Sequence, residues 1–398
     1  MIYNLNAAKW VRICFLVSAV AVMLCCPLPA TAADVVKVGV PAPFSGSAAE
    51  KGKHLKYGVM LAAEEINAAG GILGKKVELV YADTEAKPEV GVSAYEKLIA
   101  RDKVHFIVGE INSHVALAVM DVVAKYQQPT IFAVPASDEL GEKIKSNPEK
   151  YGCIFMTDIP VSRMQEGAFI FLEEAHKSGR LKKADKTVAL VYEDSSWGRI
   201  VGETWRKNLE ERGWKVVLEE VTPFKESDYL PIVAKIKKLD PALVKIEITS
   251  LPAGVAITKQ LYEAGVEADI FGGYYQKTKE FPQMAGPFAI GSYNVKEPFA
   301  RDWPTRLHQK YPPADHIAAM MPYDSLHILA QAVNAAGSLQ SEKVIKSLKN
   351  TDHTGAFMRT VFDPETHFSK VGKDYKLFGV ARFSDAGLKL VWPEDYAE

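Results

Sequence analysis

G-V-M-L-A-A-E-E-I-N-A-A-G-G-I-L-G-K-K-V-E-L-V, residues 58–80, holds the change of period that decides the fold. Counting back to Leu55, apolar residues recur at Val59, Ala62, Ile66 and Ala69, every three or four positions, which predicts an amphipathic helix. Gly70-Gly71 ends it, where a left-handed residue is cheapest as glycine, and Gly74-Lys75 turns the chain into a β-rich run at 76–82. The same alternation extends outward. Strands are predicted at 35–40, 76–82, 105–108 and 129–134, with helices marked by Val90, Ala94 and Leu98 and by Val115, Val119 and Val122. Such an order forces parallel strands joined by right-handed crossovers, an open α/β sheet.

A non-periodic stretch at 135–160 interrupts the pattern, and a second α/β unit follows: a helix over 163–179, then strands at 187–192, 215–221, 243–248 and 269–271. Its helices carry Ile200, Thr204 and Leu209, then Ile232, Ile236 and Leu239, then Val255, Thr258, Leu261 and Ala264. From 298 the chain reads as mostly helical, to about 311 and over 320–336 and 341–350, before strand-like pieces around Val361 and 378–383.

The first 33 residues follow other rules. Lys9 and Arg12 precede a short, acid-free apolar run at 13–26, then Pro27 and Pro29, then Ala30-Thr31-Ala32-Ala33. This predicts a secretory signal peptide at 1–33, cleaved after Ala33 or Ala32, since the run falls short of the roughly 20 residues a membrane-crossing helix needs. Cys25 and Cys26 lack the small preceding residue expected of a lipidated cysteine. Cys14, Cys25 and Cys26 leave with the signal, so only Cys153 remains and no internal disulfide can form.

The 398 residues carry 48 Lys plus Arg against 49 Asp plus Glu, a formal net charge of −1, so there is no general field to attract nucleic acid. Enzyme signatures are absent: no G-x-G-x-x-G after the first strand, no G-x-x-x-x-G-K-S/T loop, no G-x-S-x-G elbow and no H-E-x-x-H pair. The histidines, among them His54, His105, His114, His316 and His353, never stand four apart. Neither a metal site nor a cofactor is expected.

Several ordered segments carry a family resemblance: V-K-V-G-V-P-A-P-F-S-G-S at 36–47, the opening stretch at 58–80, F-I-V-G-E-I-N-S at 106–113, V-P-A-S at 134–137, Y-E-D-S-S-W-G at 192–198 and L-V-W-P at 390–393. Together they resemble the extracellular ligand-binding receptors of the leucine/isoleucine/valine-binding type. The resemblance implies the type I periplasmic binding fold, an α/β fold of two doubly wound parallel-sheet lobes joined by three hinge strands. Lobe one would hold 34–156 plus 293–357 and lobe two 157–292 plus 358–398, with hinge strands near 151–158, 291–295 and 359–362. It also implies a monomeric periplasmic protein without catalysis, which passes a small-molecule solute to the inner-membrane permease of an ABC importer. The other reading of the same fold is a sensor acting through a separate partner.

In an open α/β sheet, ligands sit beyond the carboxyl ends of strands. The loop after 105–108 leads through Asn112 and Ser113 into a helix whose first N–H groups suit an anion. The resemblance implies that Ser113, Ala136 and Ser137 hold a ligand carboxylate and that Trp197 walls the pocket. Asp138 stands where relatives often have threonine and is left out of that set. Tyr274, Tyr275 and Lys51 occupy places where amino-acid-binding relatives differ: acidic near 271–276, aromatic in the first loop. Lys51, together with Arg163 at the start of the second unit, would suit a second carboxylate or a carboxylate without an amine; with Tyr274 and Tyr275 they lean toward a small carboxylate or an amide, aromatic or not, over leucine, although Glu110 or Glu247 could supply the missing acid and so keep an amino acid open.

Overall fold

The protein is seen here as a computed structural model that describes residues 35–397 apart from 224–225, 279 and 386, so the expected signal segment at 1–33 lies outside the described residues. The first sheet contains β1 (Val36–Ala42), β2 (Val77–Asp83), β3 (Phe106–Gly109), β4 (Thr130–Phe132) and β5 (Ile154–Met156), all parallel, in the order β2-β1-β3-β4-β5. Helices cover both faces, which is why Val38, Val40, Phe106, Val108 and Ile131 on one side of the pleat and Ile107, Phe132 and Met156 on the other are all buried.

The stretch at 58–80 shows in this sheet why its residues are spaced as they are. Asn67, near the end of the helix Ala49–Ala68, accepts the backbone N–H of Val77 at 2.7 Å and donates to Val77 O at 3.0 Å, so one side chain fixes the helix against the start of β2. Gly71 has φ +82°, and a Cβ there would sit 2.0 Å from Lys75 O. Gly58 faces the long helix His316–Ala336, where a Cβ would lie 2.2 Å from Ala319 O; glycine lets the two backbones touch.

The second sheet contains β6 (Thr187–Glu193), β7 (Lys215–Thr222), β8 (Leu243–Glu247), β9 (Asp269–Phe271) and β10 (Tyr293–Lys296). A small hairpin, β11 (His353–Thr354) with β12 (Arg359–Thr360), precedes two further members, β13 (Gly379–Ser384) and β14 (Gly387–Trp392). The order is β14-β13-β10-β9-β8-β6-β7; β13 runs antiparallel to β10, with Val295 opposite Val380.

Two expected lobe boundaries need correction. β10, assigned above to lobe one, pairs with β9 and β13 and so belongs to the second sheet. Residues after 358, assigned to lobe two, first lie along β5: Met156 pairs with Phe368, and Met156 N donates to His367 O at 2.9 Å. The chain therefore changes sheets after β5, after β10 and between Ser369 and β13, the third passage falling later than 359–362. The helix expected from 320 begins at His316, because Asp315 caps it by accepting from Ile317 N and Ala318 N; Pro322 lies inside it.

Candidate functional site: a cleft between the two sheets

Three of the residues singled out in the sequence meet in one cleft of about 480 Å³: Lys51, Trp197 and Tyr274 all line it. Lys51 comes from the first turn of the helix Ala49–Ala68 and the other two from the second unit, so the cleft lies where the two units face each other. Trp197 opens the helix Ser196–Glu211, whose start is fixed by Ser195: its hydroxyl accepts from Gly198 N at 3.0 Å and donates to Glu193 at 2.8 Å. Trp197 is 37% exposed and Tyr274 55%, leaving two aromatic faces open to a solute.

Beneath them stands a pair the sequence analysis did not assemble. Lys245 and Glu247 are two residues apart on β8, so their side chains leave the sheet on the same face, at its carboxyl end. Lys245 Nζ lies 2.8 Å from Glu247 Oε2 and also donates to Gly272 O at 2.9 Å, while stacking over Trp205 with 4.8 Å to the ring centre. Glu247 Oε1 accepts Trp197 Nε1 at 3.0 Å and Tyr274 N at 3.3 Å. Gly273 passes so close that a Cβ would be 2.9 Å from Glu247 Cδ, and Asn294 holds its carbonyl at 2.9 Å. Both charges are almost fully buried; burial lowers the Lys245 pKa and the neighbouring carboxylate opposes that. A lysine and a glutamate inside the otherwise apolar run 243–248 were the available signal, since such residues are rarely buried unless paired.

A second cluster forms on the first sheet. The helix Ser113–Lys125 has Asn112 at its N-cap, yet neither Asn112 nor Ser113 makes a capping bond. The Ser113 hydroxyl instead accepts the backbone N–H of Ala136 at 3.2 Å and of Ser137 at 3.3 Å, bringing those three predicted residues together. Asn112 Oδ1 is buried without a partner beside them in sequence. This turn is tied to the chain leaving β5: Val161 N donates to Ala136 O at 2.8 Å, and Asp138 accepts from Ser162 N at 3.1 Å and from its hydroxyl. Asp138 thus meets a hydroxyl and an amide of the chain leaving β5.

Other expectations fare differently. Tyr275 does not reach the cleft. It is fully buried in the second unit's core, packed against Gly254 with its hydroxyl 3.2 Å from Thr258 Oγ1, because the short turn after Gly273 points adjacent tyrosines in opposite directions. Arg163 pairs with Glu166 at 3.5 Å and borders a separate groove with Asp363 and Tyr375. Glu110 is buried at φ +64°, its Oε1 accepting Ile111 N and Asn112 N, and burial raises its pKa. Ser113, Asn112, Ala136 and Ser137 are not among the residues lining the 480 Å³ cleft. Among the described residues no group of His, Cys, Asp or Glu is arranged to hold a metal.

Residues 35–381 match the family model described as periplasmic binding protein. The Leu/Ile/Val-binding protein homolog 2 of Brucella abortus (strain 2308) is 28% identical over 326 residues, 80% of this chain and 82% of its own. A solved structure from Silicibacter pomeroyi, 22% identical, superposes with a TM-score of 0.82 over 92% of this chain and 98% of that one. A solute-binding protein of an ABC transporter from R. palustris, solved in complex with benzoate, is 18% identical and has a TM-score of 0.60 over 90% of this chain and 95% of its own. Two wound sheets, a cleft between them and a family match across most of the described chain lead to one assignment: this chain belongs to the periplasmic binding protein family.

Proposed function

We propose that this protein is the exported, monomeric, non-catalytic solute-binding component of an ABC importer of the branched-chain amino acid type. It captures a small carboxylate-bearing solute in the cleft and presents the closed form to an inner-membrane permease. The reading is carried by Ser113, the first residue of a 13-residue helix: its hydroxyl oxygen accepts the N–H groups of Ala136 and Ser137, which leaves its own O–H and the first N–H groups of the helix to meet an anion. The aromatic faces of Trp197 and Tyr274 would receive the rest of the solute from the opposite side, and Lys51 would close over it. Signal cleavage after Ala33 or Ala32 places the protein in the periplasm.

Three passages of chain between the sheets make a hinge, and rotation about it would bring the Ser113 turn against the Trp197 wall. Solution scattering with and without saturating solute tests this; a fall in the radius of gyration is expected, and superimposable profiles would refute closure. N-terminal sequencing of periplasmic protein tests export, and recovery of a chemically altered solute would refute the absence of catalysis.

A further inference from the structure

We infer that the solute is a carboxylate without an α-ammonium group, carrying an apolar body that lies against Trp197 and Tyr274. The inference rests on the carboxylate reading above and adds what the buried pair Lys245–Glu247 excludes. An amino acid brings a positive charge into the cleft as well as a negative one. Taking that ammonium out of water is costly unless an unshared carboxylate or several aimed oxygens replace its hydration.

The carboxylates lining the cleft are already committed. Glu247 holds Lys245 at 2.8 Å, and its other oxygen receives Trp197 Nε1 and Tyr274 N, so both oxygens are occupied. Glu297 is paired with Lys277 at 3.2 Å. Of the acids near the predicted carboxylate turn, Asp138 accepts Ser162 N and the Ser162 hydroxyl, and Glu110 is buried away from solvent, with one oxygen engaged by the backbone and its pKa raised by burial. On the cationic side, Lys51 is exposed at the cleft and makes no ion pair among the described residues. Lys51, Lys245 and Lys277 against Glu247 and Glu297 leave one positive charge in excess around the cleft. Lys245 cannot readily swing aside for an incoming ammonium, since Gly272 O, Glu247 and the face of Trp205 hold it at once. The wall thus offers apolar contact and positive charge, and no free carboxylate.

Matched pairs that differ only in the ammonium group test this: 4-methylpentanoate against leucine and 3-phenylpropanoate against phenylalanine, with 3-phenylpropanamide as the uncharged control, titrated calorimetrically into the purified mature protein. The desamino acid of at least one pair is expected to bind ten times or more tighter than its amino acid, and the amide more weakly than the acid. Amino acids that bind as tightly as their desamino partners, or tighter, overturn the inference while leaving the carboxylate anchor in place. An amide that binds as well as the acid, or failure of every acid to bind at 10 mM, overturns the carboxylate reading and the inference with it.

Variants locate the cause. Lys245→Met leaves Glu247 unshared and is expected to shift the affinity ratio tenfold or more toward the amino acid. Lys245→Met combined with Glu247→Gln strands no ion, should fold even where the single variant does not, and keeps the preference for the desamino acid. An amino-acid preference in the double variant would place the discrimination elsewhere and refute the role of the pair. Lys51→Ala, at an exposed position, should weaken the desamino acid three- to tenfold; unchanged affinity counts against the excess cation.

Discussion

The hydroxyl of Ser113 accepts the backbone N–H of Ala136 at 3.2 Å across 23 residues of sequence, joining the ends of two neighbouring strands at one point. Because Ser113 caps nothing, its removal separates binding from stability. Ser113→Ala is expected to weaken a carboxylate ligand by roughly ten- to a hundredfold, the range of a charge-assisted hydrogen bond worth about 1.5 to 3 kcal/mol, with a loss of fold stability near 1 kcal/mol. Calorimetric titration beside a urea denaturation curve measures both; intact affinity would remove the anchor from the proposed site.

Trp197 contributes a ring and a donor, and the two can be separated. Trp197→Phe keeps the aromatic face and loses only the bond to Glu247 Oε1. A drop in affinity of a few fold is expected, against tenfold or more for Trp197→Ala, read by the same titration. Equal losses in the two variants would mean that the indole N–H, through Glu247, matters more than the face.

Gly58→Ala tests the close approach of the helices Ala49–Ala68 and His316–Ala336. The added methyl would meet backbone at 2.2 Å, where no side chain can yield, so a destabilisation of about 1 to 3 kcal/mol is expected from denaturation. A neutral result would show that the helices Ala49–Ala68 and His316–Ala336 can slide apart at little cost.

His367 predicts an acid-sensitive fold. It stacks on Phe155 with ring centres 4.5 Å apart and its Nδ1 lies 2.9 Å from Ile154 O, and burial lowers its pKa from the ordinary histidine value. Below about pH 6.5 the unfolded chain takes up a proton that the folded chain refuses, so stability falls with pH by up to about 1.4 kcal/mol per unit. His327 is lowered in the same direction by burial. Denaturation midpoints between pH 7 and pH 5 should fall less steeply in His367→Gln, and an unchanged slope would assign the acid sensitivity to other groups.

Cys153 should be silent. It is fully buried and its thiol pKa is pushed up to about 12, so almost no thiolate exists near neutrality. Under native conditions a thiol reagent at pH 8 is expected to label none of the mature protein, and one thiol after denaturation; rapid native labelling would contradict the burial.

Much of the fold was legible because parallel strands buried on both faces leave continuous apolar runs. β1 to β4 and β6 to β9 lie within about two residues of their predicted spans. β5 left no periodic signal in a stretch rich in glycine, proline and charge, and only the resemblance, through the hinge strand it implies near 151–158, pointed to it. The lobe boundaries at 293 and 358 were misplaced because sheet membership is set by pairing across long sequence separations, as between Val295 and Val380, which no local period records. At the site, Trp197 and Tyr274 were reached through the resemblance to relatives and not through any local period. Tyr274 and Tyr275 could not be told apart, since the two-residue period of β9 ends at the glycines before them. The pair Lys245–Glu247 lay in view as a charged interruption of a buried strand, but its partners Trp197 and Gly272 come from other loops.

β13 and β14, the last regular strands of the chain, complete a sheet whose other members were made up to two hundred residues earlier. The second unit is thus left with β10 as a bare edge until β13 has been delivered, an invitation to wrong pairing that β13 and β14 remove. Vectorial delivery fixes an order of assembly: the strands of the first sheet can pair as they emerge, whereas the second must wait for β13 and β14. Shortening the chain ahead of Gly379 would therefore yield an aggregating polypeptide in place of a smaller working one, and a fusion partner is better tolerated beyond Trp392 than between the final two strands.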